Sequence, residues 1–178
     1  MNASESLKYT DEVDKSFGLA GMAISLMAWD AEDMLQRIDL DSDDSDAMLM
    51  SDDYYFCTSP RVNAKAVWEQ TLKRFQITAA MTIGNLVCRE LAHRNQRKIS
   101  STTDSALRKV LTAEGAALCD LEDDEVSQVY TKSLAYCNRL FGHSGVCRLA
   151  EQLAETIRTN RAIEATQIWT LLAPLNNL

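Results

Sequence analysis

A chain of 178 residues, 46% hydrophobic and 25% charged, has the size and composition of one globular domain, which excludes a disordered or fibrous protein. With 2 prolines and 6 glycines it holds too few turn formers for an all-β fold, so long helices are expected. A net charge of −8 argues against nucleic acid and membrane surfaces as partners, because phosphates are bound by a surplus of Lys and Arg.

That charge is unevenly spread. Residues 30–56 hold 10 acids and 1 base, whereas residues 57–113 hold 3 acids and 10 bases. Five cysteines (Cys57, Cys88, Cys119, Cys137 and Cys147) stand singly, without a C-x-x-C pair. An odd, scattered set in a chain of this length fits a reducing, cytoplasmic setting. The first sixteen residues carry both signs of charge and lack the pattern of a secretory leader.

Along the chain, the first helix is expected from about Val13 to Ile38. Phe17, Ala20, Ile24, Met27, Ala31, Met34, Leu35 and Ile38 recur there at steps of three and four. Its first half is apolar on most sides, and the run from Phe17 to Trp29 is too short to span a bilayer, which takes about 20 residues. It reads as a largely buried central helix. Gly18, Ala20, Gly21 and Ala23 would let neighbours come close. Residues 39–47 are too acidic to stay helical, and Tyr54-Tyr55-Phe56-Cys57 has the propensity of an extended segment. Residues 39–58 are therefore expected to form an acidic connector followed by an extended segment on the core, and residues 1–12 a loosely ordered N-terminus.

Ser59-Pro60 is a good helix start, since Ser caps orphan N–H groups and Pro at the first position loses no needed donor. A long second helix is expected from there to about Arg97, with a bend at Gly84-Asn85. Ser100–Thr103 caps a third helix over Asp104–Leu118. The acids at 122–125 favour the start of a fourth through the helix dipole; it ends at Gly142. Ser144 caps a fifth, and a sixth runs from Arg161 to about Leu172. The expected fold is all-α: one domain over residues 1–178, a bundle of about six helices.

No catalytic template is complete. A calcium loop needs alternating oxygen ligands, a flexible sixth residue and a carboxylate at the twelfth position. Asp41, Asp43, Ser45 and Asp52 supply part of this, but Asp46 stands where glycine is needed and Leu49 is ninth. A frame beginning at Asp39 ends on Met50. Glu90 and His93 have the Glu-x-x-His spacing of carboxylate-bridged di-metal bundles, yet His143 follows Leu140, so no second copy exists. The pairs Asp30/Asp33 and Glu122/Glu125 have the spacing of Mg²⁺-binding helical carboxylates in nucleotide hydrolases, but lie far apart in sequence. Cys137, His143 and Cys147 surround a turn, and a thiol at a helix start has its pKa lowered by the dipole; the spacing matches no zinc signature. Arg74, Arg89, Arg94, Arg97 and Lys98 lack interleaved aromatics, and the hinge is followed by only Arg108 and Lys109. Trp29, Trp68 and Trp169 fall on apolar faces and are expected in the core. No Gly-rich phosphate loop, G-x-S-x-G or H-E-x-x-H occurs.

The sequence thus points to a non-catalytic helical module that binds another protein or itself, with no cofactor. The alternative is a metal-dependent all-helical hydrolase of nucleotides or phosphoesters, using helical carboxylates.

Overall fold

The computed structural model describes residues 7–55, 64–96 and 98–177. Helices dominate, as the sequence predicts. Helix α1 spans Glu12–Ala28, α2 Asp52–Tyr55, α3 Ala64–Cys88, α4 Ser101–Cys119, α5 Asp123–Phe141, α6 Ser144–Asn160 and α7 Ala165–Leu172. A small sheet of β1 (Leu35–Asp39), β2 (Met48–Met50) and β3 (Ala162–Glu164) covers one end.

Helix α1 is central and pinned at both ends. The Asp11 carboxylate caps it by accepting the Asp14 N–H at 2.8 Å. At the other end Asp30 adopts a left-handed φ of 50°. The Ala31 N–H then bonds Leu26 O at 3.0 Å and the Asp30 N–H bonds Met27 O at 3.2 Å. These are the paired bonds that close a helix when a left-handed residue succeeds it, a place Asp tolerates better than most. The helix therefore stops ten residues before the expected Ile38.

Beyond this stop the chain becomes a strand. β1 pairs antiparallel with β2 and with β3, in the order β2-β1-β3. A bulge between Leu35 and Arg37 shifts the register, so Leu35 and Ile38, three apart, both face the core. A bulged strand thus reproduces the three-residue spacing of a helix. Ile38 sits opposite Met48 on one side and Ile163 on the other, and all three are buried. The acidic segment is accordingly the hairpin connection of β1 and β2 rather than a free connector. Likewise β3 occupies part of the expected sixth helix: Arg161, with φ 65°, closes α6 and turns the chain into it.

Tyr54 belongs to α2, not to an extended segment, and its hydroxyl lies 2.8 Å from the Thr78 hydroxyl. Phe56, Cys57 and the Ser59-Pro60 start lie outside the described residues. Helix α3 runs unbroken through Gly84-Asn85. It changes instead into a π-helical turn at Arg89–His93. Gly84 marks the closest approach of α3 to α1: a Cβ there would stand 2.9 Å from Gly21 O, and one on Gly21 only 2.4 Å from Gly84 O. The small residues of α1 let two backbones touch. Ser100 caps α4 by accepting the Thr103 N–H at 3.1 Å, whereas α6 is capped by His143, whose ring accepts the Gly145 N–H at 3.2 Å, rather than by Ser144.

The core lies between α1, the second half of α3, α6 and the inner face of the sheet. Leu19, Ile24, Leu26, Ile83, Leu153 and Ile157 are each 1% exposed or less. Burial of each such side chain contributes about 1.5–3 kcal/mol before entropy is counted.

Candidate functional site

α1 and α5 both pack on α3, and between them a trough stays open. One section, about 550 Å³, is walled by Trp29 of α1, Trp68 and Leu72 of α3, and Leu121, Val129 and Tyr136 of α5 and its leading turn. A second section, about 420 Å³, continues along Met27, Arg139, Leu140, His143 and Leu175. The two adjoin at Ala28 and Tyr136, which line both. One face of α5 and the turn after it, from Glu125 to His143, lines both sections. At 1.5 Å per residue that is about 27 Å, the length of an 18-residue helix.

The trough is built from rigid parts. The Trp29 and Tyr136 rings meet edge to face at 4.5 Å, an arrangement aromatic quadrupoles favour. The Arg139 guanidinium lies 5.4 Å from the Tyr136 ring centre. Tyr130, on the other face of α5, is fixed by a 2.5 Å hydrogen bond from its hydroxyl to Asp104 and by Arg108 stacked at 4.2 Å. Burial, helped by the Asp104 carboxylate, pushes the Tyr130 hydroxyl pKa above its ordinary value, so it stays a donor. Trp29 and Trp169, also expected in the core, are half-buried against it, and Trp68 is more open still. It is 49% exposed, beside Val67 at 40%. This corrects the expectation of a core tryptophan.

Charge is graded along the trough. Around the α5 N-terminus Asp120, Glu122, Asp123, Asp124 and Glu125 are all exposed, and of these Glu125 lines the trough. Glu122 and Glu125 form a capping box, with the Glu125 carboxylate accepting the Glu122 N–H at 3.0 Å. None of the five is in an ion pair among the described residues. Lys132 lies midway, and Arg139 and His143 stand at the far end.

Away from the trough, the fold buries a charged cluster that sequence spacing alone does not assemble. Arg89, grouped by sequence with surface bases, is 1% exposed and Asp14 is 0% exposed. Their Nη2 and Oδ2 atoms are 2.5 Å apart, while Arg94 reaches Asp14 Oδ1 at 3.1 Å and Glu90 at 2.6 Å. Arg89 also donates to Leu7 O and Lys8 O at 3.1 and 2.7 Å and lies 4.9 Å from the Tyr9 ring centre. Tyr9 in turn accepts from Asn85 at 2.6 Å. Residues 7–10 are thus bonded to the head of α1 and the end of α3. Burial alone would raise the Asp14 pKa; the bonds from Arg89 and Thr10, with the charges of Arg89 and Arg94, outweigh it and leave the carboxyl below its ordinary value. The signal in the sequence was an Asp at the head of an apolar helix and an Arg inside an apolar stripe.

The remaining candidates are occupied by structure. Asp41 is paired to Arg161, which also holds Glu12 at 2.6 Å, and Lys15 holds Asp44 at 3.1 Å. Asp41 and Asp44 of the acidic loop are thus paired by the α6 end and α1, while Asp43 and Asp46 are exposed and in no ion pair among the described residues. Arg74 lies 5.4 Å from the Tyr54 ring centre. Glu90 pairs with Arg94, and His93 stacks on Phe17 at 4.8 Å. Cys137 is fully buried, and burial pushes its thiol up to about 12. Cys147 donates to Phe141 O at 2.9 Å; burial, then Glu151, raises its pKa rather than the helix start lowering it. Of the two carboxylate pairs, Glu125 lines the trough, whereas Asp30 and Asp33 line neither section of it. Even so, among the described residues no group of three or more His, Cys, Asp or Glu is placed to hold a metal ion.

Fold and site together define a mainly helical protein with a small sheet and an open aromatic trough. Among the described residues no helix is long and apolar enough to cross a membrane. No known protein family, curated protein or solved structure matches the chain.

Proposed function

We propose that the protein is a non-catalytic interaction module that seats an amphipathic helix of a protein partner in the α1–α5 trough. One observation carries the reading: an exposed tryptophan, Trp68, stands on the wall of an open depression where apolar side chains alternate with polar ones such as Gln76, Gln128 and Lys132, and where Trp29 and Tyr136 are held ring to ring. Helical partners are bound by laying an apolar stripe at i, i+3, i+4 and i+7 into such a groove. Affinity then concentrates in a few anchors, with tryptophan among the most frequent. Cys88, Cys137 and Cys147 form no disulfide, which supports a reducing, cytoplasmic location.

The test is fluorescence anisotropy with a labelled 18-residue helical peptide carrying a leucine stripe at those spacings and an uncharged polar face. Saturable binding is expected, weakened tenfold or more by Trp68→Ala, with the urea midpoint of the variant unchanged. Binding that is indifferent to Trp68→Ala, or no binding at all, would overturn the proposal. A rise in melting temperature with Mg²⁺ or Mn²⁺, lost in Asp33→Asn with Glu125→Gln, would instead favour the carboxylate hydrolase.

A further inference from the structure

Burying the Asp14–Arg89 pair costs desolvation, and such a pair is weak evidence of stability. What it does achieve is the placement of backbone. Arg89 holds Leu7 O and Lys8 O, Asp14 accepts the Thr10 N–H at 3.0 Å, and Asn85 donates to the Tyr9 hydroxyl. The segment fixed in this way walls a groove of about 610 Å³ that shares no lining residue with the trough. We infer that this groove is a second site, which binds a medium-chain fatty-acid anion.

The walls set the size and character of the occupant. Leu7, Lys8 and Tyr9 line the groove from the fixed segment, and Ala106, Lys109 and Val110 line it from α4. Met22 of α1 and Leu86 of α3 add apolar surface. Val110 is 36% exposed, so part of this apolar lining is left to water. Small-molecule sites have this make-up: roughly 300–1,000 Å³, mostly apolar, with a few polar groups. α4 borders the groove only from Ala106 to Ala113, which at 1.5 Å per residue is about 10 Å, or about two turns. Two turns of wall suit a compact ligand and are too short to seat a helix.

Charge then sets the sign of the ligand. Asp44, Lys8 and Lys109 are the charged residues lining the groove, and Asp44 is held by Lys15 at 3.1 Å. Lys8 and Lys109 are exposed and in no ion pair among the described residues. Lys73 and Lys98 are also unpaired, but they line neither this groove nor the trough. An apolar bed with two available ammonium groups, in a chain of net charge −8, is complementary to an alkyl chain ending in one carboxylate. The chain lies on Met22, Leu86 and Val110, and the carboxylate meets the lysines. A cationic amphiphile of the same length gains the bed but is repelled by both ammonium groups.

The test is an NMR titration of the full chain with hexanoate, octanoate, decanoate and octyltrimethylammonium at low salt, all kept below micelle formation. Saturable shifts are expected in amide signals of residues 82–86 and 106–113. Affinity should rise severalfold with every two carbons, against about fourfold per CH₂ for complete burial. The cation should bind at least tenfold more weakly than octanoate. Lys8→Gln with Lys109→Gln should weaken octanoate at least threefold. Ala113→Glu, which adds a carboxylate at an exposed lining position, should weaken it at least tenfold, and both variants should keep the wild-type urea midpoint. Equal binding of octanoate and the cation, no saturation, indifference to both variants, or loss of binding in Trp68→Ala overturns the inference. The trough reading rests on other residues and stands or falls separately.

Discussion

The two halves of α3 are folded into opposite roles. From Phe75 to Cys88 nearly every residue is buried, Gly84 lies against α1, and the π turn beyond places Arg89 against Asp14. From Lys65 to Arg74 no described side chain is buried, and Trp68 and Val67 face outward. The same helix is a core element at one end and a wall of an open trough at the other. Side chains that hold the fold together and side chains left uncovered by it can thus be told apart by what their removal costs.

The largest cost is expected at the buried pair. Asp14→Asn leaves Arg89 charged without its partner and should lower the unfolding free energy by about 3–5 kcal/mol, read from urea denaturation. Replacing both residues, Asp14→Leu with Arg89→Met, should cost clearly less than Asp14→Asn alone, because no lone charge remains. If the double change proves the worse, the network gives more than mutual neutralisation. Next comes the α1–α3 contact. Gly21→Ala would set a Cβ 2.4 Å from Gly84 O, a backbone atom that moves only if the helices separate. A loss of about 1–3 kcal/mol is expected in thermal melts, as for overpacked cores.

Acid gives a smaller and directional effect. The native Asp14 pKa lies below its ordinary 3.8. A carboxyl held lower in the native state stabilises it fully above the unfolded value, and that contribution is lost as pH falls through the native one. Taking the protein from about pH 5 to about pH 3 should therefore lower the wild-type melting temperature more than that of Asp14→Asn. Equal drops would mean that Asp14 is not held low. The smallest effect is expected in the trough: Trp68→Ala should change stability by no more than about 0.5 kcal/mol, as at surface sites, although a core tryptophan would cost far more.

Much of the helical plan was legible because caps and periodicity act locally. Glu122, Glu125 and Ser100 start helices where the sequence predicts, and Gly142 ends one. The sheet was hidden because the Leu35–Ile38 spacing, made by a bulge, mimics a helix, and because its strands come from residues 35–50 and 162–164. The end of α1 turns on Asp30 in a left-handed conformation, where a glycine would have announced the stop. The trough was illegible for a different reason. Trp68 lies on the same apolar stripe as Leu72 and Phe75, and periodicity reports which face a residue occupies, not whether another element covers it. The Asp14–Arg89 pair joins residues 75 apart, which no local pattern records.

Docking in the trough requires Trp68 to be wet in the free protein and dry in the complex. Fluorine NMR of protein labelled with 5-fluorotryptophan reads this directly, with the Trp68 signal identified by its loss in Trp68→Phe. A solvent-isotope shift between H₂O and D₂O close to that of the free amino acid, falling sharply when the leucine-stripe peptide saturates the trough, is the predicted result. A Trp68 signal already shielded without peptide, or one that keeps its full isotope shift at saturation, would contradict it.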